Sequence, residues 1–147
     1  MATLSRFRTI AASPRAVWDV LADFGAISSW APNVDHSCIL EHGPDGPVGT
    51  SRRVQAGRYT LVERITECTA PEALAYDIEG LPRQLGRVSN RWAVSGFGKS
   101  TAVRLTTTVE IGSNPLAHVA ELAACRIMAK QSDVMLGGLA ARLGGNL

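Results

Sequence analysis

Apolar and polar positions change period along the chain. In Thr3–Ala11, apolar Leu4 and Ile10 flank Arg6 and Arg8 in the alternation of a β-strand. Ser13-Pro14 follows. Ser13 can accept a hydrogen bond from an exposed helical N–H, and proline suits the first helical position, where its missing donor costs nothing. The pattern then predicts a short helix over Pro14–Ala22, with Val17, Trp18 and Leu21 on one side. Gly25 permits a break, and Ala26–Trp30 reads as a second short helix ending before Pro32.

From Val34 to Ile111 the period is two. Strands are expected at Val34–Glu41, Thr50–Ala56, Arg58–Thr69, Ala73–Glu79, Arg87–Ser95 and Thr101–Ile111. Turn residues fill the gaps, among them Ala56-Gly57, Ala70-Pro71 and Gly80-Leu81-Pro82. A spacing of roughly ten residues suits an antiparallel meander. The two longest strands suggest a strongly curved sheet.

The last segment predicts a long helix. Asn114-Pro115 repeats the cap-then-proline start, and Gly144-Gly145 is the expected stop. About 28 residues at 1.5 Å each give roughly 42 Å, enough to cross a small domain. At 100° per residue, Leu116, Ala120, Ala124, Ile127, Gln131, Val134 and Met135 share a stripe opposite Arg126, Lys130 and Asp133. A long helix crossing one face of an antiparallel sheet is an α+β architecture.

Alternation also assigns strand faces, and several polar residues share faces with apolar ones. His36 and Cys38 fall with Val34 and Leu40, Glu63 with Leu61 and Ile65, and Tyr76 with Leu74 and Ile78. Asn90 and Trp92 fall with Val88 and Val94, Arg52 with Val54 and Ala56, and Thr107 with Val103, Leu105, Val109 and Ile111. An unpaired carboxylate in a packed core costs several kcal/mol or neutralises through a raised pKa. Two resolutions stand. Glu63 pairs with Arg52 or His36, or the inner face is wet and lines a cavity under the long helix. The Ala, Gln and Met of the helix stripe leave room for a cavity, and equally let the helix sit close to the sheet.

Composition narrows the function. A chain of 147 residues with 46% hydrophobic and 19% charged residues fits one folded domain over 1–147. The net charge of +2 comes from 15 basic and 13 acidic residues scattered without a basic block, so no nucleic-acid partner is expected. Phe24–Val34, the longest uncharged run in the first hundred residues, is far below the ~20 residues of a membrane span, so membrane insertion is not expected. The opening Met1–Arg8 lacks the apolar block of a secretion signal. Cys38, Cys68 and Cys125 are odd in number and have no zinc-ligand spacing, which fits reduced thiols in a cytoplasmic protein. The three histidines do not cluster, and no phosphate-binding loop, dinucleotide fingerprint or nucleophile elbow is present, so neither metal nor cofactor is expected.

The run Ser13-Pro-Arg-Ala-Val-Trp-Asp-Val-Leu-Ala-Asp23, followed by Ser29-Trp-Ala-Pro-Asn-Val34, resembles the opening of the START-like helix-grip superfamily (SRPBCC), in particular its polyketide cyclase/dehydrase and lipid transport branch. Pro47-Val-Gly-Thr-Ser-Arg52, Leu61-Val-Glu-Arg-Ile65, Leu74-Ala-Tyr-Asp-Ile78 and Leu136-Gly-Gly-Leu139 extend the resemblance over nearly the whole chain. It implies a curved seven-stranded antiparallel sheet wrapped around the final helix, with two short helices between the first two strands and an apolar ligand held between sheet and helix. Plant abscisic acid receptors are distant members. By motif order, His36 falls where they place a pocket lysine, Glu63 on a pocket glutamate and Tyr76 on a pocket aromatic. Ile127, Gln131 and Met135 fall on the ligand-facing side of the helix. The superfamily's aromatase/cyclases use scattered pocket residues without a transferable signature.

The main expectation is a protein that binds or carries a small hydrophobic molecule, lipid- or polyketide-like. Its apolar body would lie against Val54, Leu105, Ile127, Met128 and Met135, with Trp30 and Trp92 stacking on it. Its polar end would meet Glu63, His36 and Arg52, near Cys38, Tyr76, Asn90 and Gln131. The alternative is a cyclase or dehydratase in which His36 and Glu63 move protons. A third reading is a protein-interaction role in which the pocket matters little. Monomer and homodimer both fit the sequence.

Overall fold

The computed structural model describes residues 1–144. Gly145, half of the expected helix stop, lies outside the described residues. Strand β1 (Ala2–Ile10) leads into α1 (Pro14–Ala22), a 3₁₀ segment at Phe24–Ser29, then β2 (His36–Glu41), β3 (Ser51–Ala56), β4 (Tyr59–Thr69) and β5 (Ala73–Glu79). A short 3₁₀ turn, Arg83–Leu85, precedes β6 (Arg87–Phe97), β7 (Ser100–Glu110) and α2 (Pro115–Arg142). The seven strands form one antiparallel sheet in the order β1-β7-β6-β5-β4-β3-β2. Consecutive strands pair as a meander, and β1 closes onto β7. The α+β helix-grip architecture expected from the sequence is the one formed.

Both helix starts follow their local chemistry. The Ala16 N–H donates to Ser13 Oγ at 3.1 Å, and the Ala117 N–H donates to Asn114 Oδ1 at 2.8 Å. A proline follows each cap. Glu121, nearly two turns into α2, is fully buried and ties the helix to the end of β7. Its carboxylate accepts from the Ile111 N–H at 2.7 Å and the Gly112 N–H at 3.4 Å, and lies 2.7 Å from the Met1 ammonium. The ammonium contact, and after it the backbone donors, lower the carboxyl to about 2.

Two expected faces are corrected. In β2 the inward residues are Ser37 and Ile39, while His36, Cys38 and Leu40 are exposed. Val34 is buried as part of the loop before the strand, so its burial does not set the strand's parity. Ser37 points inward because the 3₁₀ segment supplies polar partners. Its Oγ accepts from the Ser28 N–H at 3.0 Å and donates to the Gly25 carbonyl at 2.7 Å. Ile39 packs so tightly there that a Cβ at Gly25 would lie 2.7 Å from Ile39 Cγ1.

In α2 only Ala124 and Met135 of the expected stripe are buried. Leu116, Ala120, Ile127, Gln131 and Val134 are exposed, and the buried face carries Ala117, Glu121, Ala124, Cys125, Ala129, Ser132, Met135, Leu136 and Leu139. Its small members let the helix approach the backbone closely. A Cβ at Gly138 would lie 2.2 Å from the Trp30 carbonyl oxygen. Close approach, more than side-chain bulk, selects the face that is buried.

Trp18, Trp30, Tyr76, Trp92, Leu105 and Leu139 belong to a main core under α1, the 3₁₀ segment and the C-terminal half of α2. A smaller cluster of Ala2, Val88, Val109, Ala124 and Cys125 lies under the N-terminal half of α2. Ile78 and Leu81 pack against both clusters.

Candidate functional site

Beside Ile78 and Leu81 the packing opens into a cavity of about 130 Å³ between the sheet and α2. Val54 and Ala56 of β3, Tyr59, Leu61 and Glu63 of β4, Ile78 of β5 and Asn90 of β6 form its sheet side. Met128, Gln131 and Met135 of α2 face them, and Ile27, Asn33, Val34 and Leu81 close the ends. The walls are mainly aliphatic. A larger groove, about 500 Å³, runs over the outer sheet surface past Asp77, Glu79, Arg87 and Glu110. Its charged, open walls suit water better than an apolar ligand.

Glu63 is the one formally charged residue among those lining the inner cavity. Arg52 stands opposite it in the β3–β4 register and holds it in place. Arg52 Nε donates to Glu63 Oε1 at 2.8 Å, and Nη2 makes an ion-pair contact of 2.7 Å with the same oxygen, too bent to be a hydrogen bond. Nη1 donates to the Phe24 carbonyl at 2.9 Å. The guanidinium carbon lies 3.7 Å from the Phe24 ring centroid and 4.7 Å from that of Tyr76, so aromatic faces cover the cation. Both residues are buried, so the pair satisfies two charges that would be costly to bury singly.

A neutral network stands behind the pair. The Tyr76 hydroxyl accepts from Trp92 Nε1 at 3.2 Å and weakly from Asn90 Nδ2 at 3.4 Å. Thr107 Oγ1 donates to Asn90 Oδ1 at 2.7 Å. Burial, and secondarily the Glu63 charge, push the Tyr76 hydroxyl above its ordinary pKa, so it stays protonated. Trp30 packs edge-on against Trp92 with centroids 5.9 Å apart.

Of the residues expected at a site, the structure gathers Val54, Glu63, Asn90, Met128, Gln131 and Met135 around the cavity, with Arg52 behind Glu63. Tyr76, Trp92, Trp30 and Leu105 are buried but lie outside the lining, in the core. His36, Cys38 and Ile127 are corrected. The first two project from the outer side of β2, and Ile127 is 69% exposed on the outer side of α2. The acid/base pair of His36 and Glu63 is therefore not assembled.

Sequence reasoning placed Leu61, Ile78 and Ala56 on the inner face without assigning them to the site. Tyr59 shares the odd parity of Leu61 and Glu63, a signal that identifies it. Ile27 comes from the 3₁₀ segment and Val34 from the loop before β2, while Asn33 and Leu81 come from irregular segments, where periodicity carries no information. Asn33 Nδ2 donates to Gln131 Oε1 at 3.0 Å, linking the loop to α2 at the cavity rim. Asn33 Oδ1 is sealed from solvent and has no hydrogen-bond partner among the described residues.

A curved antiparallel sheet gripping a long C-terminal helix over a small cavity defines the START-like helix-grip class. The chain belongs to the polyketide cyclase / dehydrase and lipid transport family, whose family model matches residues 1–144. Among solved structures, the chain is similar to the Zhui aromatase/cyclase from a Streptomyces species, at 20% identity with a TM-score of 0.78, covering 98% of each chain. It is likewise similar to a START superfamily protein from Mycobacterium smegmatis, at 17% identity with a TM-score of 0.74, covering 96% of each chain. A Thermobifida fusca protein shares 24% identity with a TM-score of 0.72, over 100% of this chain and 98% of its own. At these identities the likeness is one of fold. No curated protein matches the sequence significantly. Among the described residues no helix is long and apolar enough to cross a membrane.

Proposed function

We propose that this protein binds a small hydrophobic molecule in the cavity between sheet and α2. The observation that carries the reading is the cavity of about 130 Å³, walled by aliphatic side chains around a single carboxylate whose countercharge lies behind it. An engineered apolar cavity of about 150 Å³ in another protein takes up benzene, so a ring-sized body is the appropriate scale. Burying roughly 150 Å² of apolar ligand surface contributes about 4 kcal/mol at ~25 cal/mol per Å². Association costs consume much of that, so the affinity depends on how the polar end is met.

Binding is favoured over catalysis because, of the two proton-moving candidates, only Glu63 lines the cavity, and Arg52 holds its Oε1.

The test is to purify the protein from its native host and analyse it by native mass spectrometry. A copurifying small molecule, absent from the cavity-filling variant Val54→Trp whose fold is intact by circular dichroism, supports the reading. Equal retention by that variant overturns it.

A further inference from the structure

We infer that the molecule this cavity takes is neutral and ring-sized and that its polar end is a hydroxyl donor, not a carboxylate or other anion. The inference rests on the cavity being a ligand site and adds the chemistry of the ligand's polar end.

Three observations converge. First, the cavity offers a ligand no positive charge. Among its lining residues only Glu63 is ionisable near neutral pH, and it is acidic. The nearest cation, Arg52, is outside the lining, and it directs Nε and Nη2 to Glu63 Oε1 and Nη1 to the Phe24 carbonyl. Its planar faces are covered by Phe24 and Tyr76. An anionic ligand would meet a carboxylate with no accessible countercharge.

Second, the buried polar group of the lining with capacity to spare is an acceptor, Glu63. The donors of Gln131 and Tyr59 also line the cavity but sit on exposed side chains, where water meets them. Trp30 Nε1, without a hydrogen-bond partner among the described residues, lies outside the lining. Both Arg52 contacts fall on Oε1 of Glu63, and among the described residues no hydrogen bond reaches Oε2. Asn33 also lines the cavity, but its Oδ1 is sealed from solvent and is not presented to a ligand. Asn90 turns away, its Oδ1 accepting from Thr107 and its Nδ2 directed at Tyr76. A buried acceptor left unmet is costly, so a ligand that donates gains more than one that accepts.

Third, charge balance separates a hydroxyl from an ammonium. Arg52 already neutralises Glu63. A bound ammonium would leave a net positive charge in an apolar enclosure, whereas a hydroxyl donates and leaves the pair balanced.

The experiment compares four probes built on one ring: ethylbenzene, 4-ethylphenol, 4-ethylbenzoate and 4-ethylbenzylammonium. Each is titrated at pH 7 into the intact protein and followed by amide chemical shifts. 4-Ethylphenol is expected to bind tightest, at least tenfold tighter than 4-ethylbenzoate, with shifts concentrated at Asn33, Val54, Glu63 and Met135. The double change Arg52→Met with Glu63→Leu, which removes the acceptor without stranding a buried charge, is expected to cut the advantage of 4-ethylphenol over ethylbenzene severalfold, and an unchanged advantage overturns the inference. Binding of the benzoate or the ammonium as tight as that of the phenol overturns the inference. If ethylbenzene shifts the cavity amides and the phenol gains nothing over it, the cavity reading stands and the hydroxyl inference alone is lost. If none of the four moves those amides, the cavity reading fails and takes this inference with it.

Discussion

Arg52 and Glu63 are cross-strand partners in β3 and β4, and both Arg52 contacts fall on one oxygen of the carboxylate, leaving the other without a donor among the described residues. The guanidinium thereby fixes the position of the cavity's one charged group without entering the cavity. Replacing Arg52 alone by Met strands a buried carboxylate and is expected to cost about 3–5 kcal/mol. The double change Arg52→Met with Glu63→Leu removes both charges and is expected to recover most of that loss. Urea denaturation of the two singles and the double gives the coupling directly. Additive losses would show that the two charges do not depend on one another.

Gly137 and Gly138 are sequence neighbours that should respond oppositely to alanine. A Cβ at Gly137 meets only Arg8 Nη1 at 3.6 Å, an ordinary contact. Gly137→Ala is expected to stabilise α2 by about 0.5–1 kcal/mol through helix propensity. A Cβ at Gly138 would lie 2.2 Å from the Trp30 carbonyl oxygen and 2.5 Å from Pro32 Cδ. Gly138→Ala must push the helix away and is expected to cost about 1–3 kcal/mol. Thermal unfolding of the pair decides it, and equal shifts would contradict the packing described for this end of α2.

Acid should weaken the fold through Glu121. Its carboxyl titrates at about 2 in the folded protein against an ordinary 4.5, so the folded state binds fewer protons between those values. The stabilisation is fully present above about pH 4.5 and is lost as the pH falls towards 2. The Tm gap between the natural protein and Glu121→Gln is therefore expected to be widest near neutrality and to close on acidification. A gap that is constant from pH 6 to pH 2.5 would remove the titration argument.

Residues on the outside should be indifferent to the cavity. His36→Ala, Cys38→Ser and Ile127→Ser are expected to change stability by no more than about 0.5 kcal/mol. They should leave 4-ethylphenol binding unchanged. A large affinity loss in any of them would mean that the bound state uses β2 or the outer side of α2.

Much of the architecture was legible because it rests on local rules. Ser13-Pro14 and Asn114-Pro115 are capped as their chemistry requires, and period-two alternation located the strands from β3 to β7. The inward direction of Arg52, Glu63 and Asn90 followed from their apolar companions. The faces of β2 and α2 did not follow, for separate reasons. In β2 the inward Ser37 is satisfied by the Gly25 carbonyl and the Ser28 N–H, partners that hydropathy does not register. In α2 the buried stripe is chosen by how closely Ala, Ser and Gly let backbones meet, so large apolar residues such as Leu116 and Ile127 were left outside. Asn33 and Leu81 reach the cavity from irregular segments, whose course depends on the finished packing.

The pairing of β1 with β7 has a bearing on biosynthesis. Every other strand finds its partner next to it in the chain, but Ile10 aligns with Thr101 and Ala2 with Val109. During translation the first strand emerges early and waits, exposed, until β7 has left the ribosome. Nascent chains halted before Ser100 would therefore carry an unmated ribbon, the segment on which a holding chaperone would be expected to act.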